Sequence, residues 1–239
     1  MTDVELKEPQ VDSAIRAVAA LEDDLRRGMY AFIRATRRPV TRDEAAASVG
    51  ISRKLAGFHL YKLVAAGLLR TSYEAVDGIR KVGRSPKVYQ PTEADVAVTI
   101  PQREHSVLAD ILIDAVLTEG EDENAQQAAM RVAERRGENI GTAERELTRP
   151  GRLGAERALT MAEGILKRHG FEPARENPTC VRLRNCPFHP LAGKAPDLVC
   201  GVNHAFLTGM LTGLEAASVR AELVPRPGEC CVELRSSRS

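Results

Sequence analysis

The 239-residue chain has no uninterrupted apolar run long enough to cross a bilayer; its most apolar stretch, Val107 to Leu117, is broken by Asp110 and Asp114. Its first residues, MTDVELKEPQ, have neither a basic n-region nor an apolar h-region, which predicts no secretory leader and a soluble, cytoplasmic protein without a membrane partner. No internal repeat and no low-complexity segment stands out. Cysteine is absent from the first 179 residues, and the CxxC pairing of a zinc ribbon or the tight CxxCxxC run of a ferredoxin occurs nowhere.

What is present is divided unevenly. Residues 1–91 hold sixteen Lys and Arg against eleven Asp and Glu, a balance of +5, whereas the rest of the chain stands at −4. A basic front on an acidic back is expected when only one domain meets phosphate. All five cysteines (Cys180, Cys186, Cys200, Cys230 and Cys231) fall in the acidic part. In a cytosolic chain such a group points to metal or redox chemistry in preference to disulfides.

The basic part reads as helices over Asp12–Leu21 and Asp23–Thr36, stopped before Pro39. Thr41 with Glu44 three residues on forms a capping box for a short helix ending near Val49. Gly50 permits a left-handed turn, and Ser52 caps a second helix whose Ala56, Leu60, Leu63 and Gly67 share one face. Leu68–Glu74 and Arg80–Tyr89 read as two strands joined at Asp77–Gly78. Helix, short helix, turn, helix and basic hairpin is the order of a winged helix-turn-helix, which binds double-stranded DNA with the last helix in the major groove. Ser52 and Arg53 stand at the tip of that helix, with Lys54, Phe58, Tyr61 and Lys62 opposite its apolar face. Arg53 is the expected base reader. Lys54, His59 and Lys62 are assigned to phosphates, and Arg80, Lys81, Arg84 and Lys87 to a wing beside the minor groove.

Beyond Pro91 and Pro101 the pattern predicts a helix over Arg103–Glu119 with a broad apolar face, suited to packing on two sides. A second, highly charged helix is expected over Asn124–Gly137, a connection over Ala143–Pro150 and a third helix over Gly154–His169. Strands at Phe171–Glu176 and Val181–Arg184, a helix from Pro196 to about Ala216, and strands at Val219–Val224 and Cys231–Leu234 complete a small α+β domain. The expected class is therefore α+β in three segments: a DNA-binding domain at 1–92, a helical linker or dimerisation region at 93–150, and an α+β sensor domain at 151–239.

Cys186, Cys200 and Cys230 belong to separate elements, as thiolates lining a shallow bowl would. Pro187 fixes the chain beside the first, and Cys200 lies in the first turns of its helix, where the macrodipole favours a thiolate. Strand alternation puts Cys230 on a face with Val232 and Leu234, and Cys231 on the other with Glu233, so Cys230 is the better ligand. His189, Cys231 and Cys180 are held in reserve. Zinc on Cys and His, or a small organic effector with the cysteines as packing residues, are the alternatives to an iron–sulfur group. Cysteine catalysis is disfavoured: neither Cys186 with His189 nor Cys200 with His204 has a recognisable orienting third residue.

The CPFH segment, the LVC helix and the PGECCVEL ending, behind a winged helix, resemble the SufR-type iron–sulfur-sensing repressors among the ArsR-like regulators. That resemblance implies a homodimer on a palindromic operator, with one [4Fe–4S] cluster per subunit held by Cys186, Cys200 and Cys230. The chain departs from it in having Cys180 and Cys231 as additional cysteines.

Overall fold

The structure, a computed structural model, describes residues 8–73, 86–93 and 95–236. It is α+β and divides between Val98 and Thr99 into two compact units.

In the first unit, α1 (Glu8–Ala20) and α2 (Asp24–Thr36) precede β1 (Val40–Thr41), α3 (Arg42–Ser48) and α4 (Arg53–Ala65). The local chemistry follows the sequence closely. Asp23 caps α2 by accepting from the Arg26 N–H, and Thr41 and Glu44 form the reciprocal capping box of α3. Gly50 takes φ +67°, and the Ser52 hydroxyl accepts the Leu55 N–H at the start of α4. Met29, Ile33, Leu60 and Leu63 are wholly buried; each contributes about 1.5–3 kcal/mol relative to exposure. Gly67, at φ +74°, turns the chain into β2 (Leu69–Tyr73), which pairs antiparallel with β3 (Lys87–Pro91). With β1 on the outer side of β3 the sheet order is β1-β3-β2. The described part of the second hairpin strand begins at Lys87, so Arg80, Lys81, Arg84 and the Asp77–Gly78 turn lie outside the described residues.

The second unit contains α5 (His105–Leu117), α6 (Ala125–Thr148), α7 (Ala155–Arg168), β4 (Pro173–Asn177), β5 (Cys180–Leu183), α8 (Leu191–Lys194), α9 (Pro196–Gly213), β6 (Val219–Leu223) and β7 (Val232–Ser236). The four strands form one antiparallel sheet in the order β4-β5-β7-β6. Leu108, Ile111, Ala128, Ala133, Leu159, Leu166, Val181, Leu183, Leu207 and Leu234 belong to a single core. The helices at 105–148 bury one face in this core.

One element departs from the sequence reading in length. The helix expected to end near Gly137 runs on to Thr148, through the stretch read as a connection. Gly137 and Gly141 are not breakers here: a Cβ on either would lie about 2 Å from the carbonyl oxygen of Phe206 or Met210 in α9. Gly209 and Gly213 make the matching approach to the Glu134 and Glu138 carbonyls of α6, so the two helices touch main chain to main chain.

The broad face of α5 also resolves into two stripes. Leu108, Ile111 and Ala115 are buried, whereas Ile113, Val116 and Leu117 stand 57%, 70% and 76% exposed. Among the described residues no helix is long and apolar enough to cross a membrane.

A candidate thiol-rich metal centre and a candidate nucleic-acid surface

Four of the five cysteines meet at one place in the second unit. Cys186 follows β5 in a loop, Cys200 lies in the second turn of α9, and Cys230 and Cys231 close the turn before β7. The thiols neighbour one another in turn: Cys186 beside Cys230, Cys230 beside Cys231, and Cys231 beside Cys200. They are close enough that Cys186 and Cys230 shift each other's titration and Cys231 shifts that of Cys230 and Cys200. Their environment suits sulfur. The backbone N–H groups of Phe188 and Val232 lie beside the Cys186 and Cys230 thiols, and the His189 N–H donates to the Cys186 carbonyl at 3.1 Å. Asn203, wholly buried one turn along α9 from Cys200, donates from Nδ2 to Cys230 Sγ at 3.1 Å, while its Oδ1 has no partner.

As free thiols Cys186, Cys200 and Cys230 are held protonated. The Cys186 thiol is pushed well above the ordinary thiol range, first by the Cys230 thiol beside it and then by burial. At Cys230 the Cys186 thiol pulls downward, but the Cys231 thiol and burial outweigh it and push the Cys230 thiol up to about 11. Burial raises Cys200 as well, against the lowering effect of Cys231. The helix terminus expected to favour a Cys200 thiolate is too far away, because its influence fades beyond the first turn. A cation at this place would displace the protons, as metal binding to thiols does.

The group fits a metal centre by its donors: sulfur only, from three chain segments, with amide N–H groups beside the sulfurs. It is also open. Thiolates about 2.3 Å from one tetrahedral ion stand about 3.8 Å apart from one another. Among the described residues, the only three such groups whose ligand atoms all lie within 4.8 Å of one another are Glu176, Cys180 and Glu233. That trio is engaged otherwise. Glu233 is buried between Arg182 and Arg235, Glu176 meets Arg226 at 3.3 Å, and the Cys180 thiol donates to Glu176 Oε2 at 3.6 Å. Cys180 therefore stands in an ion-pair network, apart from the other four thiols.

One sequence assignment around the centre changes. The residue pair 230–231 precedes β7, with a bend at Cys231, so the alternation of a strand does not separate the two thiols. Cys230 and Cys231 are both buried and both join the group. His189 is exposed, and its ring is not part of the group. His204 turns Nε2 to the Ala221 carbonyl oxygen at 3.2 Å.

A feature that the sequence reading missed is a clamp on the Cys186 loop. Arg103 Nη1 donates to the Asn185 side chain and, at 3.0 Å, to the Cys186 carbonyl. The Glu104 N–H donates to the Pro187 carbonyl at 2.9 Å, and His105 Nε2 lies 3.0 Å from the His189 carbonyl. Asn185, itself buried, donates to the Gln102 and Gly170 carbonyls. The start of α5 is thereby fastened to the loop that carries a ligand candidate. A lone Asn after a strand and an Arg before a helix carry no sequence signal for such a pairing.

In the first unit, α4 presents Arg53, Lys54, Phe58, Tyr61 and Lys62 on one exposed face, with Ser52 exposed at its tip. Arg53 ion-pairs with Asp43 at 2.9 Å, both largely exposed, so the pair is readily exchanged for another anion. Lys62 Nζ lies 5.6 Å from the Phe58 ring centroid, and Lys87 Nζ 5.8 Å from that of Tyr89 on β3. His59 is the exception: it is 6% exposed, with Nδ1 3.7 Å from an Asp23 carboxylate oxygen, and does not share that surface. Its position one residue past Phe58 turns it toward α2, beside Leu60 and Leu63 in the core.

No model of a known protein family matches the chain, and no curated protein matches it either.

Proposed function

We propose that the chain is a DNA-binding transcription regulator, a repressor, whose second unit holds an oxidant-labile [4Fe–4S] cluster that governs operator binding. The observation that carries the reading is the convergence of four thiols from three chain segments, lined with N–H donors, behind a basic unit with an exposed cationic helix face. A donor set of sulfur alone, without a histidine among its members, supports a cluster as the occupant.

The first unit is read as a winged helix-turn-helix with α4 in the major groove. Arg53, freed from Asp43, reads a base edge; Lys54 and Lys62 position the helix on phosphates; Lys87 serves the wing. Arg80, Lys81 and Arg84 are assigned to the same wing. The exposed Ile113–Val116–Leu117 stripe of α5 supports a homodimer, since a row of apolar residues at i, i+3 and i+4 marks a helix face that seeks a partner. A two-fold protein matches a palindromic operator.

When bound, the cluster supplies a centre that oxygen or nitric oxide degrades. The chain's own residues do the rest. Cys186, Cys200 and Cys230 hold the cluster, and the N–H groups of Phe188, Val232 and Asn203 stabilise their thiolate charge. The Arg103–Asn185 clamp ties the Cys186 loop to the start of α5. A change of loop conformation on cluster loss thus reaches the helix that carries the dimer face.

Anaerobic purification followed by an iron count and a visible spectrum tests the reading. The expected protein is brown, bleached by oxygen, and changed in operator affinity on bleaching. Arg53→Ala should lose operator preference more than binding to random DNA. Colourless protein with one zinc per chain after anaerobic reconstitution would refute the cluster; equal loss on both DNAs would make Arg53 a phosphate contact.

A further inference from the structure

Cys231 is the link in the run of thiols. Its thiol lies close enough to those of Cys230 and Cys200 to act on both, between the turn before β7 and α9. It is 8% exposed. Its backbone is pinned on both sides, because the Cys230 N–H donates to the Leu183 carbonyl and the Cys231 carbonyl accepts from the Val224 N–H at 2.8 Å. With β7 beginning only at Val232, the bend at Cys231 lets two consecutive side chains enter one site.

The other groups that might complete the ligand set are placed differently. The Cys180 thiol is bonded to Glu176 beside Glu233. His189 is exposed, and its backbone N–H donates to the Cys186 carbonyl at 3.1 Å. Asp197, whose charge reaches Cys200, lies exposed in the first turn of α9. A thiolate is also the softest of these donors, and soft thiolates select iron–sulfur clusters.

We infer that Cys231 is the fourth ligand, so that Cys186, Cys200, Cys230 and Cys231 hold the metal centre with protein thiolates alone. The inference rests on the reading of this site as a metal centre. It has a chemical consequence: a centre ligated by four protein thiolates keeps no open iron position for an added small thiol, imidazole or substrate.

The test uses the full chain reconstituted anaerobically with ferrous iron and sulfide. Wild type should take up iron and sulfide, and its visible spectrum should not shift on addition of 2-mercaptoethanol or imidazole. Cys231→Ala should lose its iron to a chelator about ten- to a hundredfold faster, and any chromophore left should shift with added thiol. His189→Ala, Asp197→Asn and Cys180→Ser should match wild type in all three readouts. Thermal melting of each metal-free variant checks folding, and Cys231→Ser, which keeps the side chain's volume, gives the same readout should the alanine variant not fold. A Cys231→Ala or Cys231→Ser protein with wild-type iron content, chelator kinetics and indifference to thiol overturns the inference, as does a wild-type spectrum that shifts with thiol. Wild type that takes up neither iron nor zinc refutes the metal-centre reading itself, which is a distinguishable result.

Discussion

Replacing Asn203 by Leu should act in opposite directions on the metal-free and the loaded protein. The side chain is wholly buried, donates one hydrogen bond to Cys230 Sγ and leaves Oδ1 without a partner. A buried amide oxygen without a partner costs about 1–3 kcal/mol, and its one N–H···S bond to a neutral thiol returns at most about 1 kcal/mol. Leucine has nearly the same shape and nothing to satisfy. Metal-free Asn203→Leu should therefore gain about 1 kcal/mol, a rise of about 3 °C in melting temperature for a unit of this size. In the loaded protein the bond runs to a thiolate, and a hydrogen bond to a charged group is worth about 1.5–3 kcal/mol. Its loss should speed metal release to a chelator about ten- to a hundredfold. Melting of the metal-free protein by circular dichroism and anaerobic chelator kinetics measure the two arms. Should the leucine variant melt lower while holding metal as well as wild type, Asn203 is a packing residue of α9, and its aim at the sulfur is incidental.

Gly209→Ala should destabilise the second unit by about 3 kcal/mol or more, since its Cβ would lie 1.9 Å from the Glu134 carbonyl oxygen and only a shift of a whole helix relieves that; urea unfolding measures it. Arg103→Ala should leave the iron content close to wild type yet shrink the difference in operator affinity between loaded and bleached protein, as read by anaerobic and aerobic gel shift; an undiminished difference would remove the clamp from the mechanism. The first unit should lose stability as pH falls from about 4.5 toward about 2, because the Arg38 hydrogen bond holds Glu44 down at about 2 when folded against 4.5 when free. The depressed folded value means that this stabilisation is fully present above about pH 4.5, and Glu44→Gln should flatten that limb of an acid-unfolding curve.

Local chemistry made much of the first unit legible. A capping box, a glycine in the left-handed region and an N-cap serine act within four residues of themselves, so Thr41, Gly50 and Ser52 announce their own turns. The α+β order of the second unit was legible by the same kind of signal. What was not legible depends on partners distant in the chain. Gly137 and Gly141 look like the end of a helix until α9 is seen to rest on them. His59 looks like a surface cation because helical spacing alone does not say how far round the core extends. Alternation at 230–231 presumes that the strand has already begun, and residues 224–231 ahead of β7 remove that premise. The clamp of Arg103 on residues 82 and 83 positions away has no local trace at all.

The main-chain contact between α6 and α9 divides the thiol site into parts of unequal compliance. A helix seated on another through side chains can slide by a rotamer change, but one seated carbonyl-on-glycine has no such slack. Cys200 and Asn203 therefore ride on a stationary wall, whereas Cys186 and the 230–231 pair sit in a loop and a turn. Any rearrangement that follows a change of ligand is channelled into those two segments, and of the two it is the Cys186 loop that is fastened to the start of α5.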